Sequence, residues 1–130
     1  MEQQWEGLTF SGTLPVGVFY AGKRHRDYVL RLGLSGDVID AQAENPAGSM
    51  LLIALDLFRR QLLRLGDIPA EAITLDLLRQ GLAEIDHAEL ERADGELTKK
   101  LTLASNAAVS GDASNTPSSD TAIASTTSDA

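Results

Sequence analysis

The chain has no cysteine, which rules out disulfide staples, thiol nucleophiles and cysteine-ligated metals. Basic residues are scarce: 11 Lys and Arg stand against 19 Asp and Glu. A surface of that sign repels phosphates, so nucleic acid is not an expected partner. No apolar run approaches the roughly 20 residues that cross a bilayer. The most apolar stretch meets Asp56 after six residues and then Arg59 and Arg60, so no membrane span is expected. The first residues, MEQQWEGL, lack the basic start and apolar core of a secretory signal, which points to the cytoplasm.

Catalytic vocabulary is equally thin. There is no P-loop, GxGxxG or GxSxG, and the two histidines, His25 and His87, lack the HxxxH or HxxE spacing that gathers metal ligands on a helix. Both are expected at the surface. Asp86, Glu89 and Asp94 could form a carboxylate set for a divalent cation, but Asp86-x-x-Glu89 ahead of an apolar helix is more simply a capping box. No catalytic residue, cofactor or metal site is expected.

What the chain does have is one dominant apolar segment, Met50 to Leu65, in which eleven of sixteen residues are apolar. Leu51, Leu55, Phe58, Leu62 and Leu65 fall on one face at helical spacing, with Met50, Ala54 and Leu57 on one flank and Leu52 and Leu63 on the other. Asp56, Arg60 and Arg64 form a narrow polar stripe. Ser49 is placed to cap this helix and Gly66 to end it. So much apolar surface needs more than one small sheet to cover it. Met50, Leu51, Leu55, Leu57, Phe58 and Leu62 are therefore the candidate protein-binding residues.

Before this helix, residues 8–34 alternate in strand fashion. Leu8 and Phe10, then Val16, Val18 and Tyr20, lead to an Ala21-Gly22 turn, after which Tyr28, Leu30, Leu32 and Leu34 recur at period two. The pattern predicts a hairpin plus one further strand, with the only basic cluster, Lys23, Arg24, His25 and Arg26, at the hairpin tip. Trp5 reads as a packing peg. A short helix follows from Ser35 or Asp37 to Glu44. Beyond the central helix, Thr74 caps a helix with Leu75, Leu78, Leu82 and Ile85 in line, Leu77 beside them and Gly81 as a weak point. Asp86 then opens a last helix with Leu90, Ala93, Leu97 and Leu101 on a stripe.

Composition changes at Ser105. Of the final 26 residues, 11 are Ser or Thr and 6 are Ala, without periodicity, which predicts a disordered acidic tail. The division is thus 1–104 for a small α+β interaction domain and 105–130 for the tail. The first part holds 16 acidic and 11 basic residues, a net charge of −5. A core of about 100 residues is modest, which leaves room for homo-oligomerisation as a source of stability.

The order of these signals resembles the tail assembly chaperones of tailed bacteriophages, especially the Mu-like tail assembly protein family. The matching pieces are the hairpin ending in Gly22-Lys23, the strand Tyr28-Val29-Leu30-Arg31, the Ser35-Gly36-Asp37 helix start and the apolar central helix. The Leu65-Gly66-Asp67-Ile68-Pro69 and Ile73-Thr74 turns and Asp86 before the final helix complete the set, over roughly residues 8–103. The Ser/Thr-rich tail departs from the family's compact pattern. The resemblance implies an N-terminal β-hairpin or small antiparallel sheet followed by about four α-helices. It also implies a non-catalytic chaperone of the host cytoplasm, absent from the virion, that shields the tape measure protein until tail tube protein polymerises around it. No family site residue transfers. A small structural virion subunit of the baseplate or neck is the alternative.

Overall fold

The structure, a computed structural model, describes residues 2–113, with side chains from 4 to 105. It is α+β: a three-stranded antiparallel sheet and, among the described residues, four α-helices. The strands are β1 (Thr9–Tyr20), β2 (Lys23–Arg31) and β3 (Leu62–Leu65), and the helices are α1 (Ser35–Glu44), α2 (Met50–Gln61), α3 (Leu75–Gly81) and α4 (Glu84–Ala113). The described residues divide into two units, the first ending at Thr98 and the second beginning at Lys99. Helical backbone crosses the composition break at Ser105 and runs to Ala113; the rest of the predicted tail, 114–130, lies outside the described residues.

Local chemistry sets most element boundaries in the first unit. Ala21 and Gly22, with φ of 52° and 86°, form the two-residue turn whose twist suits a tight hairpin, bringing Tyr20 opposite Lys23. Ser49 Oγ accepts from the Leu52 amide and Thr74 Oγ1 from the Leu77 amide, each at 3.1 Å, as N-caps should. At the start of α1 the working residue is Asp37, whose carboxylate accepts from the Leu34 amide and takes both guanidinium N–H groups of Arg31 at 2.8 and 2.9 Å. The guanidinium carbon of Arg31 also lies over the Trp5 ring, 4.7 Å from its centroid, which pegs the N-terminal turn to β2.

Two predicted elements are reassigned. The stretch expected as two strands, 8–11 and 16–20, is one long β1 with a wide bulge: from Thr13 to Val18 it takes five steps while β2 takes two, from Asp27 to His25. Pro15, which cannot donate to a ladder, sits in that bulge. The third strand comes from the far end of the predicted central helix. The helix stops at Gln61, and Leu62–Leu65 pairs with β2, Leu30 opposite Leu62 and Tyr28 opposite Leu65. The second edge of β2 carries backbone donors and acceptors that would otherwise lack partners, and pairing them outweighs the helix propensity of four residues. Gly66 does adopt the left-handed conformation, φ 56°, but it ends a strand and not a helix.

The core lies on one face of this sheet. Leu14 and Val18 of β1, Tyr28 and Leu30 of β2, and Leu62 and Leu65 of β3 meet Phe58 of α2, Leu78 of α3 and Leu90 and Ala93 of α4. Gly12 pairs with Tyr28, and a Cβ there would collide with the phenol ring. Tyr28 donates to Glu89 Oε2 at 2.7 Å; burial, then the bond to Glu89, raises its pKa well above the usual phenol value.

The bulge is held by side chains. Asp86 is fully buried, and its two carboxylate oxygens accept from the Val16 and Gly17 amides at 2.9 and 2.7 Å. Arg26 Nε donates to the Leu14 carbonyl and Arg24 Nη1 to the Gly17 carbonyl. Asp86 is therefore not the predicted cap: α4 begins at Glu84, and the carboxylate serves backbone about 70 residues away in sequence.

Replacing Asp86 with alanine leaves the buried Gly17 amide and the part-buried Val16 amide unpaired and is expected to cost about 3 kcal/mol, read as a lower urea midpoint. Asp76→Asn, an exposed change, should stay within about 0.5 kcal/mol. Arg31 beside Asp37, and Arg92 beside Glu89, hold these carboxyls below the usual range. A carboxyl lowered by folding adds stability above its unfolded pKa, and that contribution disappears as pH falls through the folded value. Urea midpoints should therefore be flat near neutrality and fall below about pH 4. Arg31→Gln should lower the neutral value and make the acid limb shallower.

Candidate protein-binding groove

The apolar stripe of α2 runs out of the core into solvent. Phe58 is 7% exposed and Leu62, now in β3, 9%, whereas Leu51 at the helix start is 72% exposed and Met50 88%. Leu55 is half-buried against the core, and Leu52 and Leu57 are half-buried. Of the six residues singled out in the sequence, Met50 and Leu51 are open to a partner and Leu55 and Leu57 partly so. Phe58 and Leu62 are core residues, and engaging them would require unfolding; that expectation is corrected, because β3 and α4 reach over the part of the stripe nearest the sheet.

Of the predicted polar stripe, Arg64 lies exposed in β3, but the other two residues are drawn inward. Asp56 is buried, accepting from Arg59 Nε, from Arg60 Nε at 3.2 Å and from Asn45 Nδ2 at 3.1 Å, while Arg60 also reaches Glu44 at 2.7 Å. This network locks the α1–α2 corner and fixes the angle at which the first turn of α2 projects.

Between that turn and α3 lies a groove of about 840 Å³. Leu51, Leu52 and Leu55 of α2 form one wall, and Leu75, Leu78 and Leu82, from α3 and the residue after it, form the other. Glu84, His87 and Glu91 of α4 and Arg79 of α3 add its polar lining. The size is within the range of pockets that hold ligands or side chains of a partner, roughly 300–1,000 Å³. His87 is not the surface residue expected: its ring packs edge-on to Phe58, centroids 5.3 Å apart, with Nε2 3.5 Å from Glu91 Oε2 and no hydrogen bond. Leu75, Leu78 and Leu82 were legible as an apolar line; Leu78 is buried in the core, and Leu75 and Leu82 are half-buried. Ile85, placed in the same line, is exposed, because α3 ends at Gly81 and breaks the helical phase.

The basic cluster is distributed along β2 and not gathered in a turn. Lys23, Arg24 and Arg26 are exposed but occupied: Lys23 pairs with Asp67 at 2.9 Å, and Arg24 and Arg26 brace the bulge, Arg24 also lying 5.9 Å from the Phe19 ring centroid. His25, between them, is buried, which corrects its predicted surface position. Its Nδ1 accepts from the Asp67 amide, which makes Nε2 the donor to the Tyr20 carbonyl, and it fastens the hairpin to the turn after β3. A Cβ at Gly66 would run into this imidazole. Asp86, Glu89 and Asp94 are each drawn to a different partner: the bulge amides, Tyr28 with Arg92, and Gln61 Nε2. No described helix is long and apolar enough to cross a membrane.

Comparison with protein-family models, curated proteins and solved structures finds no match to this chain.

Phe58→Ala should cost about 3–5 kcal/mol of stability. Leu51→Ala should cost less than about 0.5 kcal/mol. Chemical denaturation of the two variants therefore separates the buried from the open end of α2.

Proposed function

We propose that this chain is a non-catalytic binding protein that shields apolar helical surface on a partner. Following the sequence resemblance, the partner is the tape measure protein of a phage tail, held in the host cytoplasm until tail tube protein assembles around it. The observation that carries this reading is the apolar groove between α2 and α3, with Met50 and Leu51 projecting beside it. A long helical client exposes apolar stripes that associate in water, and a rigid groove can cover one stripe and release it without chemistry.

Co-expression tests the reading. The tape measure protein should stay soluble with the chain and aggregate without it. Leu51→Glu should reduce the rescued fraction while leaving the chaperone's own melting temperature unchanged. Equal solubility with and without the chain would overturn the proposal. Mass spectrometry of purified particles should find the chain missing; stoichiometric presence would make it a structural virion subunit.

A further inference from the structure

The polar lining of the groove is unevenly charged. Glu84, His87 and Glu91 follow one another at i, i+3 and i+7 on α4, so they form a single stripe about 10 Å long beside the leucines. Among the described residues Glu84 makes no ion pair, and Glu91 meets only the His87 ring. The one cation at the groove, Arg79, is already 3.6 Å from Asp76. An apolar floor beside two uncommitted carboxylates recognises a particular kind of helix.

We propose that the groove takes an amphipathic helix from another protein, with apolar residues at i, i+3 or i+4 and i+7 between α2 and α3 and Lys or Arg residues facing Glu84 and Glu91. This rests on the groove being the binding face named above and adds the charge that face selects. Two of the occupants this chain could supply have the wrong sign. Its last 26 residues carry Asp112, Asp120 and Asp129 and no base. The exposed apolar face of α1, Val38 and Ile39, offers no free base: Asp37 and Glu44 already hold Arg31 and Arg60, and Asp40 is acidic. The α1 face of a second copy or the chain's own C-terminal segment would set carboxylate against carboxylate, which specific interfaces avoid; Lys99 and Lys100 beside exposed Leu103 give a second copy one matching set, and a concentration-dependent mass of the full chain in solution would overturn the choice of a foreign helix.

The test uses the full chain and three labelled model helices with one leucine stripe and flanking positions that are all Lys, all Gln or all Glu, read by fluorescence anisotropy. The Lys peptide should bind at least about tenfold more tightly than the Glu peptide, with Gln between, and the gap should shrink at 0.5 M salt as screening shortens to about 4 Å. The double variant Glu84→Gln/Glu91→Gln, with an unchanged melting temperature, should weaken the Lys peptide about fivefold and leave the Gln peptide unaffected. Leu51→Glu should weaken the Gln and Glu peptides most. Equal binding of all three peptides, or a Lys peptide indifferent to Glu84→Gln/Glu91→Gln, overturns the charge selection while leaving the groove and the chaperone reading standing. Failure of every peptide to bind overturns the groove as a helix receptor; the chaperone reading is then decided separately by co-expression.

Discussion

The fold depends on one carboxylate. Asp86 sits without solvent contact under the β1 bulge and accepts from two successive amides, so backbone that has left the ladder keeps its hydrogen bonds inside the protein. Burying a charge is costly unless donors surround it, and here the donors are groups that would themselves be costly to bury alone. The same contact draws the first turn of α4 onto the sheet, which aligns Leu90 and Ala93 with the core and places Tyr28 within reach of Glu89. Bulge, helix position and core are one arrangement.

Around that anchor the molecule spends polar side chains on corners and leaves apolar ones in the open. Arg31 and Asp37, under Trp5, fix the start of α1; Asp56 with Arg59, Arg60 and Asn45 fixes the bend into α2; His25 fixes the turn after β3. Apart from Arg60 Nη2, which meets Glu44 without hydrogen-bond geometry, the polar atoms of these networks are paired within the chain and so offer little to a ligand. The consequence is a stiff frame in which the N-terminal turn of α2 stands away from the sheet, and the leucines it shares with the α3 segment form a groove instead of closing on each other. A preorganised apolar groove loses little entropy when a helix enters it.

Sequence signals were reliable where the physics was local. The hydroxyls of Ser49 and Thr74 cap residues three positions away, the Ala21-Gly22 turn needs only its own backbone, and Leu90, Ala93 and Leu97 lie on one helical stripe. They failed where a distant partner decided. Leu62 and Leu65 fit a helical wheel, yet the open edge of β2 captured them as a strand. Asp86 has the spacing of a cap, yet two amides of β1 held it, and His25 looked like a tip residue until the turn after β3 folded over it.

The sequence by itself determined the α+β content, the starts of α2 and α3, the acidic balance and the excess of apolar residues on the central helix, because each follows from composition or from neighbours within a turn or two. The tertiary structure alone decided which of those apolar residues stay in water. Periodicity reports that a helix has an apolar side but not how far other elements reach along it: Phe58 is buried, Leu55 is half-covered, and Met50 and Leu51 are left in water.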